Sequence, residues 1–308
     1  MKMYYYTNTQ IYQKSLNSDW IVPMSKYSNY KNFRPPIEYF LNKISSREYF
    51  SFCKLNHSFW EVLYDVKNNE HILENYLNIK HDDSFRAHFA IGWLKLHGLD
   101  LMHDLLNLIQ TLKNRNLMFG AGNSGPVNEE FYLNSLPNEV RFDIMKKNIP
   151  DFIKSNLPEN YIPFFGPIWK EYVINNTIYK LFNLINNKRI VLVGLPYLKH
   201  NTVLNKFEFI ELSLKNATKN RFDLLNYFNS VQKEDDVWLF QAGDSLSTWF
   251  ISQMNDNFKN AWLIDIGRAF DKFIPNQYLN LSEEDAKIIP DLKEQLWMKE
   301  YKNQIKFV

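Results

Sequence analysis

A chain of 308 residues with 45% hydrophobic and 16% aromatic content is long enough to bury a large core, which excludes a disordered or fibrous protein. Its 36 basic and 34 acidic residues leave a formal charge of +2, too balanced for a surface that coats nucleic acid, although a local basic groove fits inside a neutral total. Cys53 is the only cysteine, so one chain forms neither a disulfide nor a cysteine-based zinc site, and an intracellular setting is expected.

The N-terminal text MKMYYYTNTQIYQ lacks an apolar core followed by a small-residue cleavage site. No run approaches the roughly 18 apolar residues that span a bilayer, so the expectation is an unprocessed, soluble, cytoplasmic protein, in a host cytoplasm if the source is viral. Residues 1–45 read as a docked N-terminal arm, in which Pro35-Pro36 breaks regular structure and Ile37 to Ile44 predicts a short helix. YFSFCKL, residues 49–55, alternates aromatic and smaller side chains as a strand does. NHSFWEVLYDV then changes to helical spacing through Phe59, Trp60 and Leu63, making a first strand-to-helix junction.

Residues 84–116 carry apolar side chains at intervals of three and four, with Gly98 as a break between two helices. LMFGAGNSGP follows and gathers glycines at 120, 122 and 125 from a chain that has only 9. Glycine permits positive φ and close backbone approach, so this loop either receives a ligand or makes a plain turn. Residues 127–160 read as helices, YIPFFGPIW as an extended stretch, and YVINNTIYKLFNLINN as one helix.

KRIVLVGLP contains Ile190 to Val193, an unbroken β-branched and leucine run of the kind buried on both faces of a sheet. FEFIEL predicts a strand, RFDLLNYFNSV a helix, DVWLFQAG a strand, STWFISQM a helix and AWLIDIG a strand. Alternating strands and helices imply right-handed crossovers. The expected fold is therefore α/β, a Rossmann-like, largely parallel sheet with helices on both faces, spanning residues 46–274. From about Pro275 the text predicts a C-terminal helical extension over 275–308, a decoration like the N-terminal arm.

Ligands of an open parallel sheet bind outside the carboxyl ends of its strands, where helix N-termini present free N–H groups. Four junctions have suitable residues: Asn56-His57-Ser58, Gly194-Leu195-Pro196, Ala242-Gly243-Asp244-Ser245 and Asp265-Ile266-Gly267-Arg268. At the third, Gly243 allows a sharp turn and Asp244 or Ser245 caps the helix. Alternatively Ser245, Ser247 and the exposed amides hold a phosphate, and Asp244 grips a sugar hydroxyl. Asp265 ends an apolar strand, where a carboxylate needs a partner; Arg268, or Asp271 with a metal, supplies one. Arg268 also suits a diphosphate, because its planar fork bonds two oxygens together.

His57 and Glu61 share one face of a helix, as a general base, a metal ligand pair or a local contact. His88, His97 and His103 are read as surface or core histidines. No Walker loop, GxSxG elbow, HExxH pair or GxGxxG fingerprint occurs.

In order, these junctions resemble the GT-D-fold glycosyltransferases, a bacterial and viral family whose Rossmann-like domain uses nucleotide-sugar donors. KRIVLVGLP looks like that family's strand and glycine-bearing donor loop, and DDVWLFQAGDSLSTWFISQM is similar to its strand, Gly-Pro-Thr-Ala-type turn and helix. AWLIDIGRAFDKF matches its Ile-Asp-Ile-Gly-His segment at Asp265, Ile266 and Gly267, with Arg268 in place of histidine. FSFCKLNHSFWE resembles the strand with an Arg-x-Gly-Asp-Gly-Glu pattern, aligning Lys54 with the arginine. His57 and Phe59 then replace both carboxylates of the Asp-x-Glu motif.

The resemblance covers residues 49–274 and implies sugar transfer from a nucleoside diphosphate to a hydroxyl of a glycan, a protein or modified DNA. It puts Gly194, Gly243 and Ser245 near the donor phosphates and Asp265 near the reacting groups; Lys54, Asn56, Ser247, Gly267 and Arg268 are the further donor-binding candidates, and His57 or Asp244 the candidate base. The family's role for a divalent metal, magnesium or manganese, rests on the replaced carboxylates and does not carry over. Arg268, Lys54 and helix N-termini then neutralise the leaving diphosphate. Two other expectations stand beside this: a non-catalytic nucleotide- or glycan-binding or assembly protein, and a nucleoside-processing enzyme.

Overall fold

A computed structural model describes residues 18–23, 31–55, 63, 67, 100–109, 117–121, 155–156, 162–166, 168–204, 206–212, 217–257 and 260–275. Its strands are β1 (Ile21–Pro23), β2 (Lys31–Phe33), β3 (Ser51–Leu55), β4 (Met118–Ala121), β5 (Phe164–Phe165), β6 (Ile190–Gly194), β7 (Glu208–Glu211), β8 (Val237–Gln241) and β9 (Trp262–Asp265). They form one sheet in the order β1-β2-β5-β4-β3-β9-β8-β6-β7. Every neighbouring pair is parallel except β1 and β2, so the Rossmann-like α/β expectation holds.

The labelled helices are α1 (Glu38–Ser45), α2 (Ile168–Ile174), α3 (Ile178–Ile185), α4 (Arg221–Val231) and α5 (Asp244–Asn257); residues 100–109 are also helical. Along β6, β8 and β9 every residue is buried. Such strands are covered on both faces, which is why they read as continuous apolar runs. Trp238 and Phe240 meet Phe228 of α4 on one face, and Phe250 of α5 stacks there with Phe240. On the other face Phe52 of β3 packs on Phe40 of α1 and Trp169 of α2. Successive strand residues alternate sides, so Lys54 and Gln241 project toward the face of α1 and α2, and Asp265 toward that of α5.

The sheet reaches into the N-terminal arm. β1 and β2 form an antiparallel pair, and β2 extends the sheet through Phe33, whose ring lies 5.1 Å from that of Phe164 in β5. Residues 172–187, expected as one helix, divide into the end of α2 and α3. Asn176 between them takes a φ of 62°, and the Asn175 side chain accepts from the Thr177 N–H at 3.1 Å and its hydroxyl at 2.7 Å. Asparagine tolerates this left-handed conformation and offers the backbone a local turn in place of the helix. Residues 275–308, apart from Pro275 itself, lie outside the described residues, as do most of residues 127–160.

At the amino edge of the sheet Arg189 joins three strands. Its Nε donates to Glu208 at 2.6 Å, and its Nη1 donates to Asp236 at 2.6 Å and to the Val231 carbonyl at 2.9 Å. Asp236 is 1% exposed and also accepts from the Lys233 N–H and from Trp238 Nε1. Burial nonetheless pushes its carboxyl above the ordinary range, against the pull of these donors. A carboxyl raised on folding contributes stability below its unfolded pKa and loses it as pH rises through the folded one. The stability advantage of wild type over Asp236→Asn, read from urea midpoints, is therefore expected to be larger near pH 4 than at pH 7; an advantage that grows with pH contradicts this.

Candidate functional site

The parallel strands finish at one edge, and the chain leaves β6 outward to β7 but leaves β8 inward to β9. Their carboxyl ends thus flank a topological switch point, the usual ligand crevice of an open α/β sheet. Here protein fills part of it. Gly194 pairs with Gln241, and a Cβ at 194 would lie 2.7 Å from the Gln241 carbonyl oxygen and against the Leu198 side chain. Leu198 belongs to the 3-10 turn Pro196–His200, and Thr202 beyond it donates its N–H and hydroxyl to the Phe273 carbonyl at 3.1 and 2.9 Å. The glycine at 194 is thus accounted for by the close approach of its own chain.

At the end of β8, Gly243 has a φ of 79° and α5 begins at Asp244. The Gly243 carbonyl accepts from the Ser247 N–H at 2.9 Å, and the Ser247 hydroxyl accepts from the Ala242 N–H at 3.1 Å. This bond ties the first turn of α5 back to the end of β8. Ser245 and Ser247 are both buried, at 1% and 0% exposure.

At the end of β9, Asp265 is buried, and its Oδ1 accepts from the Gly267 N–H at 2.8 Å, folding Gly267 into a left-handed φ of 51°. A Cβ on Gly267 would lie 3.0 Å from Lys54 Nζ, so the Lys54 ammonium rests against this turn from the end of β3. Lys54 is itself buried, and its carbonyl accepts from the Thr248 hydroxyl of α5 at 3.5 Å. Asp265, Gly267 and Lys54, singled out separately in the sequence, therefore meet. Asn56 and His57 lie outside the described residues, together with Ser58, Phe59, Glu61, His88, His97 and the glycines at 122 and 125; of Asp244 only the backbone is described. His103 is half-buried on the helical residues 100–109.

Arg268 follows Gly267, and its ion-pair partner is Asp271 rather than Asp265, with Nε to Oδ2 at 2.6 Å. Asp271 Oδ1 accepts from Gln241 Nε2 at 2.7 Å and from the Tyr197 hydroxyl at 3.2 Å. Gln241 Nε2 also donates to the Tyr197 oxygen at 3.0 Å. Burial, then the nearby Asp271 charge, pushes the Tyr197 hydroxyl far above the ordinary tyrosine range, so it stays a donor. Of this cluster the sequence reading had Arg268 and Asp271 but missed Tyr197 and Gln241. The available signal was Gln241 itself, a polar residue closing the apolar run VWLF.

The Lys54 ammonium thus lies against the Gly267 turn, and Arg268, the next residue, pairs with Asp271. Among the described residues no group of three or more His, Cys, Asp or Glu side chains could hold a metal ion, so these residues do not by themselves fit the magnesium or manganese of the resembled family. None of the described helices is long and apolar enough to cross a membrane. Comparisons with family models, with curated proteins and with solved structures find no match.

The two glycines separate packing from turn geometry. Gly194→Ala forces backbone and Leu198 apart and is expected to lower unfolding stability by about 1–3 kcal/mol, the usual cost of overpacking. Gly267→Ala meets only the flexible end of Lys54, so its loss of about 1–2 kcal/mol comes from the left-handed φ. Chemical denaturation measures both; a neutral Gly194→Ala contradicts the close approach.

Proposed function

We propose that this protein is a glycosyltransferase that moves a sugar from a nucleoside-diphosphate donor to a hydroxyl acceptor. The observation that carries the reading is the Lys54 ammonium resting against the Gly267 turn, with Arg268 the next residue, at the carboxyl edge of a Rossmann-like sheet. A leaving diphosphate gains charge as the bond to the sugar breaks, and fixed cations near it lower that barrier. The resemblance of AWLIDIGRAFDKF and KRIVLVGLP to GT-D-fold segments supports the same assignment.

In this mechanism the acceptor oxygen attacks the anomeric carbon, the carbon–oxygen bond to the β-phosphate breaks, and the nucleoside diphosphate departs with the bonding electron pair. Lys54 and Arg268 bind its oxygens, Arg268 through its planar fork. Asp265 holds the Gly267 N–H and so fixes the turn against which Lys54 rests. The acceptor proton passes to His57 or Asp244, the candidates that follow β3 and β8 in the sequence. Glycans, proteins and modified DNA are the acceptor classes, and the cytoplasm is the proposed compartment.

A second reading, a non-catalytic nucleotide- or glycan-binding protein, is favoured by the replacement of both motif carboxylates with His57 and Phe59. Turnover separates the two. Thermal-shift measurements with nucleoside diphosphates and nucleotide sugars are expected to raise the melting temperature of wild type, since a ligand at a hundredfold excess over Kd stabilises by about 2.7 kcal/mol. Nucleoside-diphosphate release from the stabilising donor should fall roughly 100-fold in kcat/KM for Lys54→Ala. Stabilisation without release supports the binding protein, stabilisation by free nucleosides alone supports a nucleoside-processing enzyme, and no stabilisation by any of these overturns the proposal.

A further inference from the structure

We infer that Asp271, held by Tyr197 and Gln241, is a positioning residue that aims Arg268 at the diphosphate. The inference rests on the glycosyltransferase reading for the identity of that ligand, and on the hydrogen-bond geometry for everything else.

The side chain of Asp271 is 9% exposed, and both of its oxygens are engaged. Oδ2 takes only the Nε of Arg268, at 2.6 Å. The Nη groups, which carry four of the five guanidinium N–H donors, make no hydrogen bond among the described residues, and the Arg268 side chain is 32% exposed. Bonding through Nε tethers the guanidinium to Asp271 and leaves the Nη groups without a hydrogen bond among the described residues. A tethered guanidinium with its Nη groups so left suits two phosphate oxygens together.

The supports of Asp271 come from two other strand ends. Gln241 closes β8, and Tyr197 lies in the turn after β6. A carboxylate accepts only, so Asp271 also settles which end of the Gln241 amide faces it. Tyr197 and Gln241 hold Oδ1, and Asp271 meets Arg268 through Oδ2 and Nε rather than as a two-pronged pair. Three strand ends therefore converge on one guanidinium, although only Arg268 itself would touch the ligand. Arginine stands at 268 where the resembled family has histidine, and it adds here a cation whose orientation the fold holds.

Simple electrostatics and positioning predict opposite signs for Asp271→Asn. Removing a carboxylate beside the site adds one unit of positive charge, which by itself tightens anion binding. Loss of the fixed guanidinium loosens it instead. Isothermal titration of inorganic pyrophosphate and of UDP into the full chain is the test. Asp271→Asn is expected to bind both roughly tenfold more weakly than wild type, and Tyr197→Phe, which keeps the ion pair and removes one of its supports, two- to threefold more weakly. Near-UV circular dichroism checks that each variant is folded, and Tyr197→Phe carries the test if Asp271→Asn is not.

Wild-type binding of pyrophosphate with equal or tighter binding by folded Asp271→Asn overturns the positioning role and leaves the glycosyltransferase reading standing; if Asp271→Asn does not fold, undiminished binding by Tyr197→Phe does the same. No binding of either probe by wild type overturns both. Pyrophosphate and UDP binding that weakens as stated, without transfer from any nucleotide sugar, upholds the clamp and removes the enzyme.

Discussion

Burial of β6, β8 and β9 on both faces is the constraint from which the rest of the molecule follows. A strand covered on two sides has no place along its length for an unpartnered polar side chain, because each would lose water without replacement. Polar groups are accordingly displaced to the strand ends, where the backbone turns and helix termini, side chains and solvent supply partners. Gln241, Asp265, Gly267 and Arg268 all sit within a few residues of where an apolar run stops. The amino edge obeys the same rule, with Arg189, Glu208 and Asp236 gathered there. The two edges differ in what they leave reachable. Arg189 is engaged through Nε, Nη1 and Nη2, whereas among the described residues Arg268 is held through Nε alone.

This constraint also explains how much could be read from the sequence. IVLV, VWLF and WLID are apolar runs too short for helices and bounded by charge or glycine, so the central strands were legible within a residue or two. Helix α4 was equally plain over Arg221–Val231. Less legible were elements whose reasons lie elsewhere in the fold. LMFGAGNSGP reads as a ligand loop or a turn because of its three glycines, yet its residues Met118–Ala121 are β4, where Gly120 is needed because the Phe52 ring crosses it. The β1–β2 pair was hidden in an aromatic-polar arm, since Phe33 becomes a core residue only when Phe164 lies beside it. Asn176 broke an expected helix through a local Asn-Thr turn that periodicity does not register.

The candidate site shows the same division. Single residues at strand ends were visible, but their relations were not, because three or more chain segments set them. Gly194 and Gly267 looked alike as loop glycines and differ in cause: one is crowded by backbone, and the other is bent by Asp265 against Lys54. The expected partnership of Arg268 with Asp265 gave way to Asp271, which only the return of residues 269–273 over the sheet edge brings near Gln241. The resulting cluster sets Lys54 and Arg268 beside the carboxylates of Asp265 and Asp271, two cations among two carboxylates.

A crystal structure of the protein with a bound nucleoside diphosphate tests the central claim most directly. The diphosphate is expected over the Gly267 turn, within hydrogen-bond distance of Lys54 Nζ and the Nη groups of Arg268, with the Arg268–Asp271 bond kept. A diphosphate bound elsewhere on the sheet edge, with Lys54 and Arg268 both out of reach, would contradict it.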